Sequence, residues 1–246
     1  MSSKTKKTIQ AVNLGIVKYG DSSLIANCYT LEFGLQSYML KGILSRGKKK
    51  NHRSLFEPLT LLELEASENK ENKIGYMDEA KIAYVFTSIP YNLTKKALVL
   101  FLAEVIHQVA REEQGPNKLL FDYIKKKLIW LDSNHSLSLF HLKIMLDITK
   151  YIGFYPNISN SNKPYFDLET GCFTSIKPGK NFIENPLKKY FIQILGIDFD
   201  MIDQIRILKK DKIKLLNQVV TYFELHLQQF KSPKSLEILN EIFKVP

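Results

Sequence analysis

The hydrophobic pattern changes its period near Ile89-Pro90, and this change constrains the fold more than any other feature of the sequence. Before it, short segments rich in Val, Ile, Leu, Tyr and Thr are separated by turn signals such as Tyr19-Gly20-Asp21-Ser22, which is typical of β-strands. After it, apolar residues recur at intervals of three and four, which is typical of amphipathic helices. The sequence therefore predicts an α+β chain whose strands precede its helices.

The part of the chain before this change is predicted to form a small β-barrel. Its five candidate strands are residues 9–17, 24–31, 36–43, 55–64 and 74–83. Five strands within about eighty residues match the size of a small five-stranded barrel. Residues 59–64 are close to a continuous apolar run, so periodicity alone leaves a helix open at that place.

The part after the change is predicted to be a helical domain. Its candidate helices are residues 92–113, 117–131, 137–152, 186–195, 211–230 and 235–243. Residues 165–175 are predicted to form a small β-hairpin inserted between helices, because Glu169-Thr170-Gly171 supplies a turn at their centre. The predicted division is a nucleic-acid-binding barrel domain over 1–84 and a helical domain over 85–246.

Positive charge is concentrated in the first part of the chain. Up to Arg53 there are ten Lys and Arg against Asp21 and Glu32, a net charge of +8, whereas the rest of the chain carries 25 basic and 23 acidic residues. Such an asymmetry predicts one basic surface that faces a polyanion. Nucleic acid is favoured over anionic lipid, because the basic residues lie in predicted strands and loops and not on one face of an amphipathic helix.

The basic residues are densest between Lys41 and Arg53, where no acid occurs. Six side chains of this basic run are predicted to bind DNA phosphates: Lys41, Arg46, Lys48, Lys49, Lys50 and Arg53. Such a cluster neutralises phosphates and releases counterions without a fixed donor geometry. The alternative is a solvated loop that binds nothing, but the acid-poor character of the whole N-terminal segment favours binding.

Aromatic residues near the basic run offer a second kind of contact with nucleic acid. Tyr19, Tyr29, Phe33 and Tyr38 have ring faces on which unpaired bases could stack. On a small barrel they are at least as compatible with the core, so the sequence selects none of them.

The sequence does not predict an enzyme. Residues 42–49 match a phosphate-binding loop at every position except the last, where Lys49 replaces the Ser or Thr that ligates Mg²⁺. They also lie between two predicted strands, whereas such a loop joins a strand to a helix. The five histidines lack the spacing of a catalytic zinc site. No catalytic residue, metal or cofactor is therefore predicted.

The sequence predicts a cytoplasmic protein without a membrane partner. No apolar run is long enough to span a bilayer, and the first ten residues lack the apolar stretch of a secretory signal. Cys28 and Cys172 are far apart and are interpreted as ordinary thiols, not as a disulfide framework.

Several short motifs resemble, in the same order, those of the RecO family of bacterial DNA repair proteins. In the first part of the chain they are IVKYGDSSLI at 16–25, Tyr29-Thr30 with Gly34, Lys41-Gly42 and LFEPL at 55–59. In the second part they are FLAE at 101–104, LLFD at 119–122 and YIGFYP at 151–156. The resemblance spans nearly the whole chain. It implies a five-stranded OB-fold barrel followed by a helical domain, in agreement with the strand count.

The resemblance also implies a recombination mediator that is not an enzyme and acts at the nucleoid. Such a protein binds single- and double-stranded DNA, anneals complementary strands and, with RecR, helps RecA to displace the single-stranded-DNA-binding protein. Many members of the family carry a four-cysteine zinc site close to the position of the predicted hairpin. Only Cys172 is available here, so we expect packing and hydrogen bonds to hold the hairpin.

The helical domain is nearly charge-balanced and is expected to dock proteins. The resemblance implies that it holds the acidic, aromatic-ended C-terminal tail of the single-stranded-DNA-binding protein, a ligand that needs an apolar slot with a basic rim. On helix 137–152, the slot is predicted at Leu142, Leu146 and Ile152, and the rim at Lys143 and Lys150, which lie near one helix face. The alternative is that the leucines are ordinary core and the lysines solvated.

Two other classes of function stay open at this point. The first is an OB-fold RNA-binding factor, and the second is a helical scaffold whose basic domain only aids solubility. Strand annealing separates the DNA repair mediator from both. An RNA-binding factor would prefer a ligand that bears the 2′-hydroxyl, and a scaffold would bind neither nucleic acid.

Overall fold

The computed structural model describes residues 7–44, 53–68, 73–113, 115–135 and 137–244. Its first five strands are β1 (Lys7–Tyr19), β2 (Ser23–Thr30), β3 (Gly34–Leu40), β4 (Leu61–Ala66) and β5 (Gly75–Ile82). They close into a barrel in the order β1-β2-β3-β5-β4, in which β3 and β5 pair in parallel and the other neighbours are antiparallel. The barrel is of the OB type, which confirms the predicted fold class.

The barrel core follows from the alternation of side chains along the strands. Every second residue of β3, from Gly34 to Leu40, is buried. Residues from four strands, among them Ile9, Ala26, Tyr38 and Leu64, meet in the interior. Because the intervening residues point outward, the strands keep an outer face on which charged side chains stay hydrated.

The prediction of a strand over 55–64 is wrong for its first half. Residues 53–56 form a short 3₁₀ turn, and β4 begins only at Leu61. The Asn13 side chain donates hydrogen bonds to the carbonyl oxygens of Phe56 (2.7 Å) and Glu57 (3.0 Å). Asn13 is 43 positions from Phe56 in sequence, so no local pattern reveals the bond that holds this segment out of the sheet.

Two helices pack against the barrel within the compact unit Met1–Ser133. Helix α1 (Leu93–Glu112) contacts β1, β2 and β3. Helix α2 (Lys118–Ser133) contributes Phe121, whose ring centre lies 6.0 Å from that of Tyr29 in β2. The predicted helices over 92–113 and 117–131 are confirmed. A domain boundary at residues 84 and 85 stays a prediction, and α1 and α2 belong to the same compact unit as the barrel.

The start of α1 has a local cause. The side-chain oxygen of Asn92 accepts a hydrogen bond from the backbone N–H of Lys95 at 3.0 Å. An Asn in this position satisfies one of the amide groups that have no partner in the first turn of a helix. The sequence therefore predicts the beginning of this helix to within one residue.

The second compact unit, Asn134–Pro246, contains the other helices and a small sheet. The helices are α3 (Phe140–Tyr151), α4 (Leu187–Gly196), α5 (Lys209–His226) and α6 (Leu236–Lys244). The sheet has the order β7-β6-β8, with β6 (Tyr165–Asp167), β7 (Cys172–Thr174) and β8 (Phe182–Ile183). The predicted hairpin is confirmed as β6 and β7. Strand β8 is not predicted, because two residues are too few to show an alternation.

Aromatic packing and hydrogen bonds hold the hairpin in place. The Phe166 ring centre lies 4.9 Å from that of Phe173 and 4.7 Å from that of Phe191. The Nε2 atom of His226 lies 2.9 Å from the carbonyl oxygen of Leu168. These contacts tie the hairpin and its turn to α4 and α5.

Candidate nucleic-acid interface

The described ends of the basic run lie on the surface of the barrel unit. Lys41 directly follows β3 and is exposed, with its Nζ 4.4 Å from the ring centre of Tyr76. Arg53 is also exposed and begins the 3₁₀ turn that precedes β4. The other four predicted phosphate contacts lie outside the described residues: Arg46, Lys48, Lys49 and Lys50.

A cleft of about 390 Å³ opens beside Lys41, between the end of β3 and strand β5. Its cause is the short pairing of these strands, which comprises only Tyr38 with Gly75 and Met39 with Tyr76. Residues on both sides of the basic run, Ile43 and Leu55, line the cleft. The chain that carries the predicted phosphate contacts therefore leaves and re-enters the barrel at this cleft.

The structure separates the aromatic residues that the sequence could not tell apart. Tyr29 and Tyr38 have no exposed surface and belong to the core of the barrel unit, so neither offers a ring face to a base. Tyr19 is 53% exposed at the end of β1. Tyr76 is 58% exposed, and the sequence analysis did not consider it. The alternation within β5, where Met77 turns inward to the core, was the signal that could have found it.

The four predicted partner-binding residues are brought together on α3, but with unequal access. Leu142 and Leu146 have no exposed surface, so a ligand reaches neither while α3 keeps its contacts. The Lys143 side chain is only 3% exposed, and its Nζ lies 3.0 Å from Asp147. The Lys150 side chain is 43% exposed and lies 3.1 Å from the same carboxylate. A tail-binding slot at these residues stays a prediction, for which Lys150 is the one accessible member.

Two features keep Lys150 charged and oriented. Burial alone would lower its pKa, but the Asp147 carboxylate beside it raises the pKa above the usual value. Its Nζ also lies 4.7 Å from the ring centre of Tyr155. Lys150 therefore presents a fixed positive charge next to an aromatic ring.

Metal binding and nucleophilic chemistry find little support in the described ranges. Among the described residues, no three or more His, Cys, Asp or Glu side chains are grouped as a metal site requires. Burial raises the pKa of the Cys28 thiol to about 12, so it is not a thiolate at neutral pH. Over the same ranges, no helix is both long and apolar enough to cross a membrane.

A closed five-stranded barrel with exposed basic side chains, followed by a mostly helical unit with a small sheet, defines an OB-fold protein with a helical extension. Two family models match this chain. The model for the N-terminal part of recombination protein O matches residues 1–86, and the model for its C-terminal part matches residues 90–237. The chain therefore belongs to the RecO family of DNA repair proteins.

Individual relatives are similar over nearly their full length. The DNA repair protein RecO of Flavobacterium psychrophilum is 35% identical over 243 residues, which covers 99% of this chain and 100% of the relative. That of Christiangramia forsetii is 37% identical over 234 residues, covering 95% and 98%. That of Bacteroides fragilis is 33% identical over 243 residues, covering 97% and 99%.

Proposed function

We propose that this chain is a recombination mediator that binds single- and double-stranded DNA and anneals complementary strands. With RecR, it helps to load RecA onto DNA coated by the single-stranded-DNA-binding protein. Membership in a family of DNA repair proteins supports the general role. Its place of action is the DNA of the nucleoid. The action needs no cofactor and no nucleotide hydrolysis, because it exchanges one set of noncovalent contacts for another.

The observation that carries DNA binding is the charge of the barrel end of the chain. The segment up to Arg53 has a net charge of +8, and its two described members of the basic run, Lys41 and Arg53, are both exposed. Phosphates bound by such side chains release counterions, which gives affinity without sequence preference. The phosphate contacts are assigned to Lys41, Arg46, Lys48, Lys49, Lys50 and Arg53.

The helical unit is assigned to protein partners, RecR and the acidic tail of the single-stranded-DNA-binding protein. Lys150 is the accessible cation of the predicted tail site, and Tyr155 beside it adds an aromatic surface. Because Leu142 and Leu146 are buried, the tail would contact the Lys150 edge of α3 first and would need α3 to shift before it reached an apolar slot.

Strand annealing tests the proposal directly. Complementary oligonucleotides are coated with the cognate single-stranded-DNA-binding protein, and duplex formation is followed with and without this chain. We expect acceleration by the wild type, and little by a variant in which Lys48, Lys49 and Lys50 are replaced by alanine. Absence of annealing, together with tighter binding to RNA than to DNA of the same sequence, would instead support an OB-fold RNA-binding factor.

A further inference from the structure

Tyr76 holds an unusual position for a large aromatic residue of a barrel strand. It lies on β5, is 58% exposed, and its ring carries the Lys41 ammonium at 4.4 Å. The inward residues of the same strand, Met77 and Ala80, pack against the barrel core, so the strand does not need the Tyr76 ring for its own packing. The ring is therefore an exposed aromatic face with a cation beside it.

The cleft next to this ring has the size of a binding site for a small flat group. Its volume of about 390 Å³ lies within the usual range of ligand pockets. Buried apolar side chains, among them Ile43 and Phe56, line its deep part, while the exposed Lys41 and Tyr76 lie at its rim. Such a cleft accepts an apolar ring and leaves any charged group of the same ligand at the surface.

The charges of the rim distinguish between the parts of a nucleotide. Lys41 is the cation of the cleft, and Asp78 and Glu79 contribute carboxylates to it. Glu79 is paired with Lys81 at 3.1 Å, on the exposed side of β5. A phosphate is attracted at Lys41 and repelled by the carboxylates along β5, whereas a neutral base meets no such penalty.

We propose that this cleft is a subsite for one unpaired DNA base, which stacks on Tyr76 while Lys41 binds the adjoining phosphate. The inference rests on the proposed DNA binding and adds a base contact to it. When DNA arrives, the Lys41 ammonium moves from the ring to the phosphate, because an exposed contact between a cation and a ring is weaker than a contact with a full negative charge. The ring face that it leaves is taken by the base. Tyr76 makes the site favour unpaired strands, since bases within a duplex are already stacked.

The test compares two single-stranded oligonucleotides of about 16 nucleotides, the upper site size of one OB fold. One carries bases of mixed sequence and the other is abasic throughout, so that both present the same phosphates. Binding is measured by fluorescence anisotropy at one salt concentration for the wild type, Tyr76→Ala, Tyr76→Phe and Tyr91→Ala. Tyr91 is the matched control, because it is 87% exposed and lies outside the barrel strands.

Loss of one stacked base should weaken binding of the base-bearing oligonucleotide by Tyr76→Ala about five- to hundredfold. Binding of the abasic oligonucleotide should change less than about twofold, since its phosphate contacts remain. Tyr76→Phe should retain the affinity, because it keeps the ring, and Tyr91→Ala should match the wild type.

Three outcomes are decisive. If Tyr76→Ala weakens both oligonucleotides equally, or neither, Tyr76 stacks no base and the inference is overturned, while the proposed function stands. If the wild type binds neither oligonucleotide, the proposed function fails and the inference fails with it. A loss confined to the base-bearing oligonucleotide supports both.

Discussion

The Asp132 carboxylate, near the end of α2, accepts a hydrogen bond of 2.8 Å from the backbone N–H of Thr87 in the segment between β5 and α1. It also accepts from the backbone N–H groups of Ser88 (2.8 Å) and Ile89 (2.9 Å). The buried Lys95 donates to the Asp132 carbonyl oxygen at 2.9 Å. Asp132 thus fastens the chain that leaves the barrel to the last turn of α2.

Replacement of Asp132 by alanine should lower the free energy of unfolding by about 3 kcal/mol, because it leaves buried donors without their charged acceptor. Chemical unfolding in urea measures the change. Asp122→Ala, at a half-buried position on the same helix, is the control and should cost less than about 1 kcal/mol. Equal midpoints for the two variants would contradict the role of Asp132.

The same carboxylate predicts a dependence of stability on pH. Burial alone would raise the pKa of Asp132, but hydrogen bonds from Thr87, Ile89 and Ser88 outweigh it and lower the pKa from 3.8 to about 2. A carboxyl group whose pKa is lower in the folded state stabilises the fold fully above its unfolded pKa and loses this contribution as the pH falls through its folded pKa. The contribution should therefore be complete at pH 7 and disappear between about pH 4 and pH 2.

Unfolding in urea at a series of pH values, for the wild type and for Asp132→Asn, isolates this contribution. The difference in unfolding free energy between the two proteins should be constant above about pH 5 and shrink as the pH falls toward 2. A difference that stays the same down to pH 2 would mean that Asp132 does not titrate with a lowered pKa.

The salt dependence of DNA binding tests the basic run. Each lost phosphate contact should flatten the slope of log affinity against log salt by about 0.7 for single-stranded and 0.9 for double-stranded DNA. Alanine at Lys48, Lys49 and Lys50 should therefore reduce the slope by about 2 on single strands. A triple alanine variant at three exposed lysines of α5 should leave the slope unchanged: Lys209, Lys210 and Lys214. An unchanged slope in the first variant would remove the assignment.

Gly34 cannot be replaced without strain. Its φ is +66°, and a Cβ atom added to it would lie 2.6 Å from the carbonyl oxygen of Gly115, where backbone must move to make room. Gly34→Ala should lower the free energy of unfolding by about 2 kcal/mol or more. Gly179→Ala is the control, because an added Cβ meets no atom within 4 Å there. Thermal and urea unfolding of both variants give the comparison, and equal stabilities would argue against the close approach.

The tail site is tested at Lys150, because Lys143→Ala would leave Asp147 buried without its buried partner and so disturb the fold. A labelled acidic peptide with an aromatic C-terminus is titrated against the wild type and Lys150→Ala. We expect binding about fivefold weaker in the variant, from the loss of one accessible ion pair. Lys180→Ala, at an exposed position away from α3 in sequence, is the control. Equal affinities would move the site elsewhere on the chain.

Much of the fold was predictable because its causes are local. The change of period at Ile89-Pro90 separates strands from helices, and the cap at Asn92 and the turn at Glu169-Thr170-Gly171 are signals that short stretches carry by themselves. The candidate site was predictable only in part. The basic run was visible from charge alone, whereas Tyr76 was not, since an aromatic residue in a strand is compatible with either face until the register is known.

The sequence by itself determined the order of elements, the number of barrel strands and the concentration of positive charge before Arg53. These depend on side-chain period and composition, which every segment carries with it. Only the tertiary structure decided that residues 53–60 leave the sheet, that Leu142 and Lys143 are buried, and that Lys41 meets Tyr76. Each of these depends on a partner distant in the chain, such as Asn13 for Phe56, and a contact between distant residues exists only once the chain has folded.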